Sequence, residues 1–250
     1  MSNDTKLYDT AAQMVTLERP KSVWVRETRF GRWFLSTSTW YRYVLSHAVY
    51  DFKRLLAGRL PQQGCILDAG CGEGLAFSLI EEHFKPAEIV GIEIDVEQVK
   101  KASTRAVHLM TPTRVILGNA STSGLARNSF DMIFCHQLLH HTSEQTGVLT
   151  EFYQLLKPGG ILLVGESCRS FINSLPVRLL FRHPHMAQQD AEGYVNLVKT
   201  AGFPVNSSDV FCSRPWWSRR CLGLAQKCGI KNDYPATEIL IVAVKPFAAG

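Results

Sequence analysis

Short apolar segments alternate with helix-forming segments between residues 61 and 166, and this alternation constrains the fold more than any other feature. The predicted strands are Cys65–Asp68, Glu88–Glu93, Arg114–Leu117, Phe130–Cys135 and Gly160–Gly165. Helices are predicted over Leu75–Phe84, Val96–Leu109 and Gln145–Leu156. Near-continuous apolar strands separated by helices predict an α/β fold, with a doubly wound parallel sheet covered on both faces. Such sheets bind ligands at the carboxyl ends of their strands.

The segments on either side of this core are less regular. Apolar spacing predicts a long helix from near Trp40 to near Gly58, capped by a hydroxyl of residues 37–39. After the core, a helix is predicted over Ala191–Ala201 and a strand over Thr237–Val244, which is expected to complete the sheet. Phe211–Gly229 is interpreted as a strand followed by a loop and a short helix. The expected organisation is a helical cap (1–60), a ligand-binding core (61–166), and a lid that also completes the sheet (167–250).

The first predicted strand runs into a glycine-rich turn. Asp68 ends the strand, and Gly70, Gly72 and Gly74 follow it. Glycines at this spacing let the backbone turn tightly and approach a ligand, and the N–H groups of the next helix face the same space. The dinucleotide pattern needs GxGxxG, whereas this loop has GxGxG after an acid. A carboxylate there repels a pyrophosphate and suits a ligand that carries an ammonium group.

Two further positions mark a nucleoside site. Glu93 ends the second strand, where a carboxylate can accept hydrogen bonds from two ribose hydroxyls. Asp95 is expected to cap the following helix. Asn119 and Ala120 follow the third strand, and the Asn119 amide can pair with an adenine edge. The alternative for Asn119 is a simple turn residue.

These motifs, in this order, resemble the class I, Rossmann-like S-adenosylmethionine-dependent methyltransferases. The similarity is strongest to the branch called methyltransferase type 11, which includes the ubiquinone and menaquinone C-methyltransferases. It covers about residues 60–166, and the matching segments are 67–74, 91–95, 118–120, 129–133, 138–141 and 155–160. One departure is Asn119, where the family usually has Asp; Asn can still accept a hydrogen bond from an adenine amino group.

The resemblance implies a seven-stranded, mostly parallel sheet and S-adenosylmethionine as cofactor, with S-adenosylhomocysteine as product. It implies that Asp68 and the glycine loop face the methionine part, that Glu93 holds the ribose, and that Ile94 packs on the adenine. Asn119 and Ala120 would hold the adenine edge. The expected cofactor-binding residues are Asp68, Gly70, Cys71, Gly72, Gly74, Glu93, Ile94, Asn119, Ala120 and His136.

Three titratable residues near the fourth and fifth strands are the candidates for catalysis. His140 and His141 follow the fourth strand, and Glu166 ends the fifth. Imidazole can take a proton from a hydroxyl, an amine or an activated carbon. The alternative is that one or both histidines serve packing and hydrogen bonding. His183 and His185 are expected on a loop over the pocket or in solvent, and no metal is predicted because no carboxylate or cysteine lies at ligand spacing.

The flanks suggest the kind of acceptor. All five tryptophans lie outside the core, and basic residues outnumber acidic ones in both flanks of a chain with net charge +5. The predicted substrate-binding residues are Trp33, Trp40, Tyr41 and Phe171. Together with nearby arginines they predict an aromatic or lipophilic acceptor that can carry an anionic group. An early tyrosine, Tyr8, resembles one that closes over the cofactor in some relatives. The alternative is that the aromatic residues only pack the lid onto the core.

The sequence therefore predicts a methyltransferase that acts on a small molecule, with oxygen the first expected target and carbon or nitrogen the next. The alternative is a protein that binds the cofactor without transferring methyl, such as a cyclase, a decarboxylase or a regulatory subunit. Nucleic acid is disfavoured as substrate because Cys135–Leu138 stands where such enzymes carry an Asn/Asp-Pro-Pro-Tyr/Phe motif. No run reaches the roughly 18 apolar residues of a membrane span. A cytoplasmic location is expected, and the basic, Trp-rich flanks leave peripheral membrane contact open.

Overall fold

The computed structural model describes residues 24–184, 187–215, 218 and 235–247. Within these ranges, seven strands form one sheet in the order β3-β2-β1-β4-β5-β7-β6. Neighbouring strands among β1 to β5 are parallel, and β7 runs antiparallel to both β5 and β6. The strands are β1 (Cys65–Ala69), β2 (Glu88–Glu93), β3 (Thr113–Leu117), β4 (Phe130–His136), β5 (Leu156–Ser167), β6 (Val210–Ser213) and β7 (Glu238–Val244). The predicted seven-stranded, mostly parallel α/β sheet is confirmed.

The helices agree with the sequence pattern in the core and differ from it in the flanks. The α-helices are α1 (Arg29–Leu35), α2 (Ser38–Trp40), α3 (Ser46–Leu56), α4 (Phe77–Phe84), α5 (Val96–Ala106), α6 (Gln145–Leu155), α7 (Arg169–Ile172), α8 (Leu175–Leu180) and α9 (Ala191–Thr200). The long helix predicted near residues 40–58 is α2 and α3 joined by a π-helical turn at Tyr41–Leu45. Thr37 caps α2 through its hydroxyl, as expected. Sequence reasoning missed α1, α7 and α8, which are short.

Helices cover both faces of the sheet. One face packs against α3 and α4 through buried residues such as Phe52 and Phe77. The other face packs against α6 and α9 through residues such as Phe152 and Tyr194. Because α3 and β7 pack into the same core as residues 61–166, the division at residues 60 and 166 stays a prediction. No helix among the described ranges has both the length and the apolar content to cross a membrane. Most of the predicted Phe211–Gly229 segment lies outside the described residues.

A glycine in β2 lets the glycine-rich turn pack against the sheet. A Cβ atom placed on Gly91 would lie 2.8 Å from Cζ of Phe77 and 2.9 Å from Sγ of Cys71. Both neighbours are buried, so neither can move away freely. Position 91 therefore sets how closely the turn after β1 approaches β2.

We expect Gly91→Ala to destabilise the chain by roughly 1–3 kcal/mol, the usual cost of overpacking a core. Gly147→Ala is the matched control: Gly147 is exposed in α6, and its added Cβ would meet nothing closer than 3.8 Å. That variant should gain about 0.5–1 kcal/mol, because alanine favours helix more than glycine does. Urea unfolding measures both; equal effects of the two substitutions would contradict this view of Gly91.

Candidate functional site

The turn after β1 is anchored to the end of β2. Gly70 and Gly72 have positive φ angles of 72° and 54°, which favour glycine. The N–H groups of Gly70 and Cys71 donate to the carbonyl of Ile92 at 2.9 and 3.1 Å. The N–H of Gly72 donates to Oε2 of Glu93 at 3.0 Å. The two segments therefore form one rigid rim at the carboxyl edge of the sheet.

Glu93 and Asp95 make different hydrogen bonds at the end of β2. Oε1 of Glu93 accepts the N–H groups of Ile94 and Asp95 at 2.8 and 2.9 Å. Burial raises the pKa of Glu93, while these backbone hydrogen bonds act to lower it. Asp95 caps α5 by accepting the N–H of Glu97 at 2.9 Å, and it pairs with Arg26 at 2.9 Å. The predicted structural role of Asp95 is confirmed.

Two adjoining cavities open at this rim. The larger measures about 600 Å³ and is lined by aromatic and aliphatic side chains together with Asp68, His136 and three further histidines. The smaller measures about 150 Å³ and contains the ends of β2 and β3, including Glu93 and Asn119. They share Gly70, Gly72, Gln98 and Gln137 among their lining residues. One elongated ligand can therefore occupy the small cavity and extend into the large one.

Buried polar atoms without a partner mark the same place. Within the described ranges they are Oδ2 of Asp68, Oε1 of Gln98, Nε2 of His136 and Nε2 of Gln137. All four residues line one or both cavities. Buried polar groups in folded proteins nearly always have a partner, so their concentration here indicates a site whose ligand supplies the missing hydrogen bonds.

Burial shifts the pKa values of Asp68 and His136 in opposite directions. It raises the pKa of Asp68 to about 8, and the nearby Glu93 carboxylate adds to the shift. It lowers the pKa of His136 to about 3, with a smaller effect from His140. Both changes disfavour the charged form. At neutral pH, without a ligand, Asp68 is therefore mostly protonated and His136 is neutral.

Gln137 was missed by sequence reasoning. It follows β4 with φ of 57°, a left-handed conformation that is unusual for a residue other than glycine. Its N–H donates to the carbonyl of Gly165 at 2.7 Å, which fixes the turn. Strained backbone of this kind clusters at functional sites. The only sequence signal for it was its position after the strand end.

Glu166 holds the segment that carries His140. It is fully buried, and Oε1 accepts the N–H groups of Leu138 and Leu139 at 2.9 and 2.7 Å. Nδ1–H of His140 donates to Oε2 at 2.6 Å. The hydrogen bond to Nδ1 leaves Nε2 of His140 as the atom that can meet a ligand. Glu166 itself does not line either cavity.

Three histidine rings lie close together beside the carboxylates of Glu166 and Glu27. The rings of His140, His141 and His183 lie with centroids 4.3 to 5.1 Å apart. Oε1 of Glu27 lies 4.0 Å from Nδ1 of His141 and accepts the N–H of Arg182 at 3.0 Å. Glu27 thus connects the segment before α1 to the loop that carries His183.

The lid consists of α1, α8 and the loop after α8. Phe30 and Phe34 of α1 contact Phe181 edge-on, with centroids 5.9 and 5.8 Å apart. The hydroxyl of Thr28 donates to the carbonyl of Leu180 at 2.6 Å. Phe30, Phe34, Leu180 and Phe181 also line the large cavity, so these contacts form one of its walls.

The structure brings most of the predicted site residues together. The following line the cavities: Asp68, Gly70, Cys71, Gly72, Glu93, Ile94, Asn119, Ala120, His136, His140, His141, Trp40 and Phe171. Asn119 also closes a turn, because its Oδ1 accepts the N–H of Ser121 at 3.0 Å.

Four predicted residues are not brought to either cavity. Gly74 packs against Phe77, and an added Cβ would overlap that ring. Trp33 is 61% exposed on α1. Tyr41 is hydrogen-bonded to Ser78 at 3.3 Å between hydroxyl oxygens. Glu166 is the fourth residue. For all four, the predicted contact with a ligand stays a prediction, and the geometry does not support it. Tyr8, His185, Trp216 and Trp217 lie outside the described residues.

Comparison with known proteins adds an independent finding. Residues 67–164 match a family model described as a methyltransferase domain. Phosphoethanolamine N-methyltransferase 1 of Arabidopsis thaliana is 29% identical over 139 residues, which is 55% of this chain and 28% of that protein. The 27-O-demethylrifamycin SV methyltransferase of Amycolatopsis mediterranei is 28% identical over 165 residues, 64% of this chain and 57% of that protein. The chain therefore spans between about a quarter and three fifths of these relatives.

Among solved structures, the cyclase SpnF superposes with a TM-score of 0.60 at 23% identity, covering 80% of this chain and 81% of that one. At this identity the similarity concerns the fold. The matched family segment contains the glycine-rich turn, Glu93, Asn119 and the histidines after β4.

We expect Asp68→Asn to stabilise the ligand-free chain at neutral pH. Because folding raises the pKa of Asp68, the carboxyl group lowers stability progressively as pH rises from its ordinary pKa to about 8. The asparagine variant lacks this loss, so its free energy of unfolding relative to wild type should grow by about 1 kcal/mol or more between pH 5 and 8. Urea unfolding across that range measures the difference. Glu97→Gln, at an exposed position, is the control, and a difference that is the same at every pH would contradict the buried, unpaired carboxyl.

Proposed function

We propose that this chain, whose residues 67–164 match a methyltransferase domain, is a class I S-adenosylmethionine-dependent methyltransferase that transfers a methyl group to a lipophilic or aromatic small molecule. The observation that carries the proposal is the junction of the two cavities at Gly70 and Gly72. A cofactor seated along the rim would present its reacting end to the large, mainly apolar cavity.

The residues present fit the cofactor. S-adenosylmethionine supplies an activated methyl group on a sulfonium, together with an ammonium, a carboxylate, a ribose and an adenine. The unpaired Oδ2 of Asp68 suits the ammonium, and Glu93 suits the ribose hydroxyls. Ile94, Asn119 and Ala120 line the small cavity, where they would surround the adenine.

The large cavity supports a lipophilic acceptor. Trp40, Phe134, Phe171 and Phe181 contribute aromatic surface to its lining, and Arg32 contributes a positive charge. A volume of about 600 Å³ lies within the usual range for small-molecule sites. Such a cavity favours an apolar or aromatic body, and Arg32 favours an anionic group at one end.

The histidines give the cavity a polar end. We infer that His140 and His141 contact the reacting group of the acceptor, and that Glu166 is a positioning residue that orients His140. Methyl transfer is an in-line displacement on the sulfonium methyl, so holding the two reactants in line supplies much of the rate. Oxygen is the first expected target, because imidazole is well placed to receive a hydroxyl proton.

Cofactor binding tests the first part of the proposal. Asp68→Asn and Glu93→Gln should each weaken binding of S-adenosylhomocysteine by roughly tenfold or more, since each removes a charge from a hydrogen bond to the ligand. Isothermal titration calorimetry measures the affinity. Glu97→Gln, which neutralises an exposed acid one turn from Glu93, should bind like wild type. Unchanged affinity in both rim variants would contradict the cofactor assignment.

Turnover tests the second part and separates it from cofactor binding without methyl transfer. The chain is incubated with S-adenosylmethionine and a panel of phenols, aromatic acids and aliphatic alcohols, and release of S-adenosylhomocysteine is measured by mass spectrometry. Release that depends on an apolar acceptor supports the proposal. Tight cofactor binding with no release for any acceptor would favour the cyclase, decarboxylase or regulatory alternative.

Contact with a membrane surface is a further part of the proposed function. Exposed apolar side chains of the lid, Trp33, Leu175 and Leu179, lie on the same elements as Arg29 and Arg178. Apolar residues with interspersed positive charge suit an anionic lipid surface. A lipophilic acceptor could then reach the lid without crossing water.

The free cysteines among the described residues support the expected cytoplasmic location.

We expect Leu179→Glu to weaken sedimentation with vesicles that contain phosphatidylserine. Met110→Glu is the matched control, because Met110 is 93% exposed and lies away from the lid, after α5. Equal sedimentation of the two variants would contradict a membrane-facing lid.

A further inference from the structure

We propose that His140, His141 and His183 form a binding site for a transition-metal ion at the polar end of the large cavity. One nitrogen from each ring lies within 4.8 Å of the others. His140 and His141 follow β4, whereas His183 comes from the loop after α8. The fold therefore assembles this cluster from segments about 40 residues apart in the chain.

The three ring nitrogens lie almost as close together as the ligands of a bound metal ion do. Histidine nitrogens lie about 2.0–2.1 Å from zinc, so nitrogens around a tetrahedral ion are roughly 3.4 Å apart. Closing three rings from 4.8 Å onto an ion requires each nitrogen to move by less than about 1 Å.

A carboxylate behind one ring supports the same assignment. Nδ1–H of His140 donates to Oε2 of Glu166 at 2.6 Å, which leaves Nε2 as the ligand atom. Metal-binding histidines almost always donate their second ring N–H to a carboxylate or a carbonyl, which fixes the ring orientation. Oε1 of Glu27 lies 4.0 Å from Nδ1 of His141, which is beyond hydrogen-bond distance, so this support comes from His140.

Three imidazole nitrogens also indicate which ions the cluster would hold. Imidazole ligands suit zinc, copper, iron and nickel rather than magnesium or calcium.

Three protein ligands leave at least one coordination position open, the arrangement of catalytic rather than structural zinc sites. All three histidines line the large cavity, so the open position faces the space assigned to the acceptor. An acceptor hydroxyl bound there would be polarised by the ion, which would lower its pKa so that its proton passes to solvent water. The oxygen would then take the methyl group as the carbon–sulfur bond of the sulfonium breaks, and His140 and His141 would act as ligands rather than as bases. The metal site itself does not depend on methyl transfer.

The test uses the full chain freed of metal with a chelator and then titrated with Co²⁺ alone and with Zn²⁺ alone. Calorimetry measures the stoichiometry and affinity, and the visible absorption of bound Co²⁺ reports nitrogen coordination. We expect one ion per chain. His183→Ala and His141→Ala should each weaken binding by at least about tenfold, the scale seen when metal sites are perturbed. The matched control is His108→Ala, whose exposed histidine lies outside the cluster.

Two results would overturn the proposal: wild type that binds neither ion, or binding that persists equally in both cluster variants, which would place the ion elsewhere. Titration of the same wild-type sample with S-adenosylhomocysteine keeps the two proposals apart. Cofactor binding without metal binding rejects only the metal site, and metal binding without cofactor binding rejects only the cofactor assignment.

Discussion

Two buried carboxylates at the carboxyl edge of the sheet are treated in opposite ways, and the site depends on that difference. Glu93 accepts the N–H groups of Gly72, Ile94 and Asp95, so its charge is largely satisfied by the protein. Asp68 has a buried oxygen without a partner among the described residues, and burial raises its pKa to about 8. An unpaired buried carboxyl costs stability. Asp68 thus lowers the stability of the chain, and it lies where a positively charged group of the ligand is expected.

Two further carboxylates, Glu166 and Glu27, hold together the segments that carry the histidines. Glu166 is fully satisfied by backbone N–H groups and by His140, and it fixes the segment after β4. Glu27 joins the N-terminal segment to the loop after α8 and lies beside His141. Gly31 allows this arrangement, because a side chain at that position would overlap the Glu27 carboxylate. The lid and the sheet are thus connected through carboxylates at the end of the cavity where the histidines gather.

The sequence predicted the sheet and the cofactor rim well because both depend on local patterns. Apolar strands, a glycine turn and an acid at a strand end are contiguous, so Asp68, Glu93 and Asn119 could be recognised one motif at a time. The acceptor side could not be predicted in this way. Glu27 and His183 reach His141 only through the packing of α1 and α8, and no spacing within the chain indicates that contact. Trp33 and Tyr41 were predicted to contact substrate because they are aromatic, yet one faces solvent and the other is hydrogen-bonded to Ser78.

The most direct test of the account is the number of protons released when S-adenosylhomocysteine binds at pH 7. Calorimetry in two buffers of different ionisation enthalpy measures it. Because the pKa of Asp68 is raised to about 8 before the ligand binds, and the carboxyl would be ionised beside the ligand ammonium, close to one proton should be released per ligand bound by wild type. The Asp68→Asn variant should release none. Binding of the ligand to wild type with no proton release would contradict the pairing of Asp68 with the ammonium group.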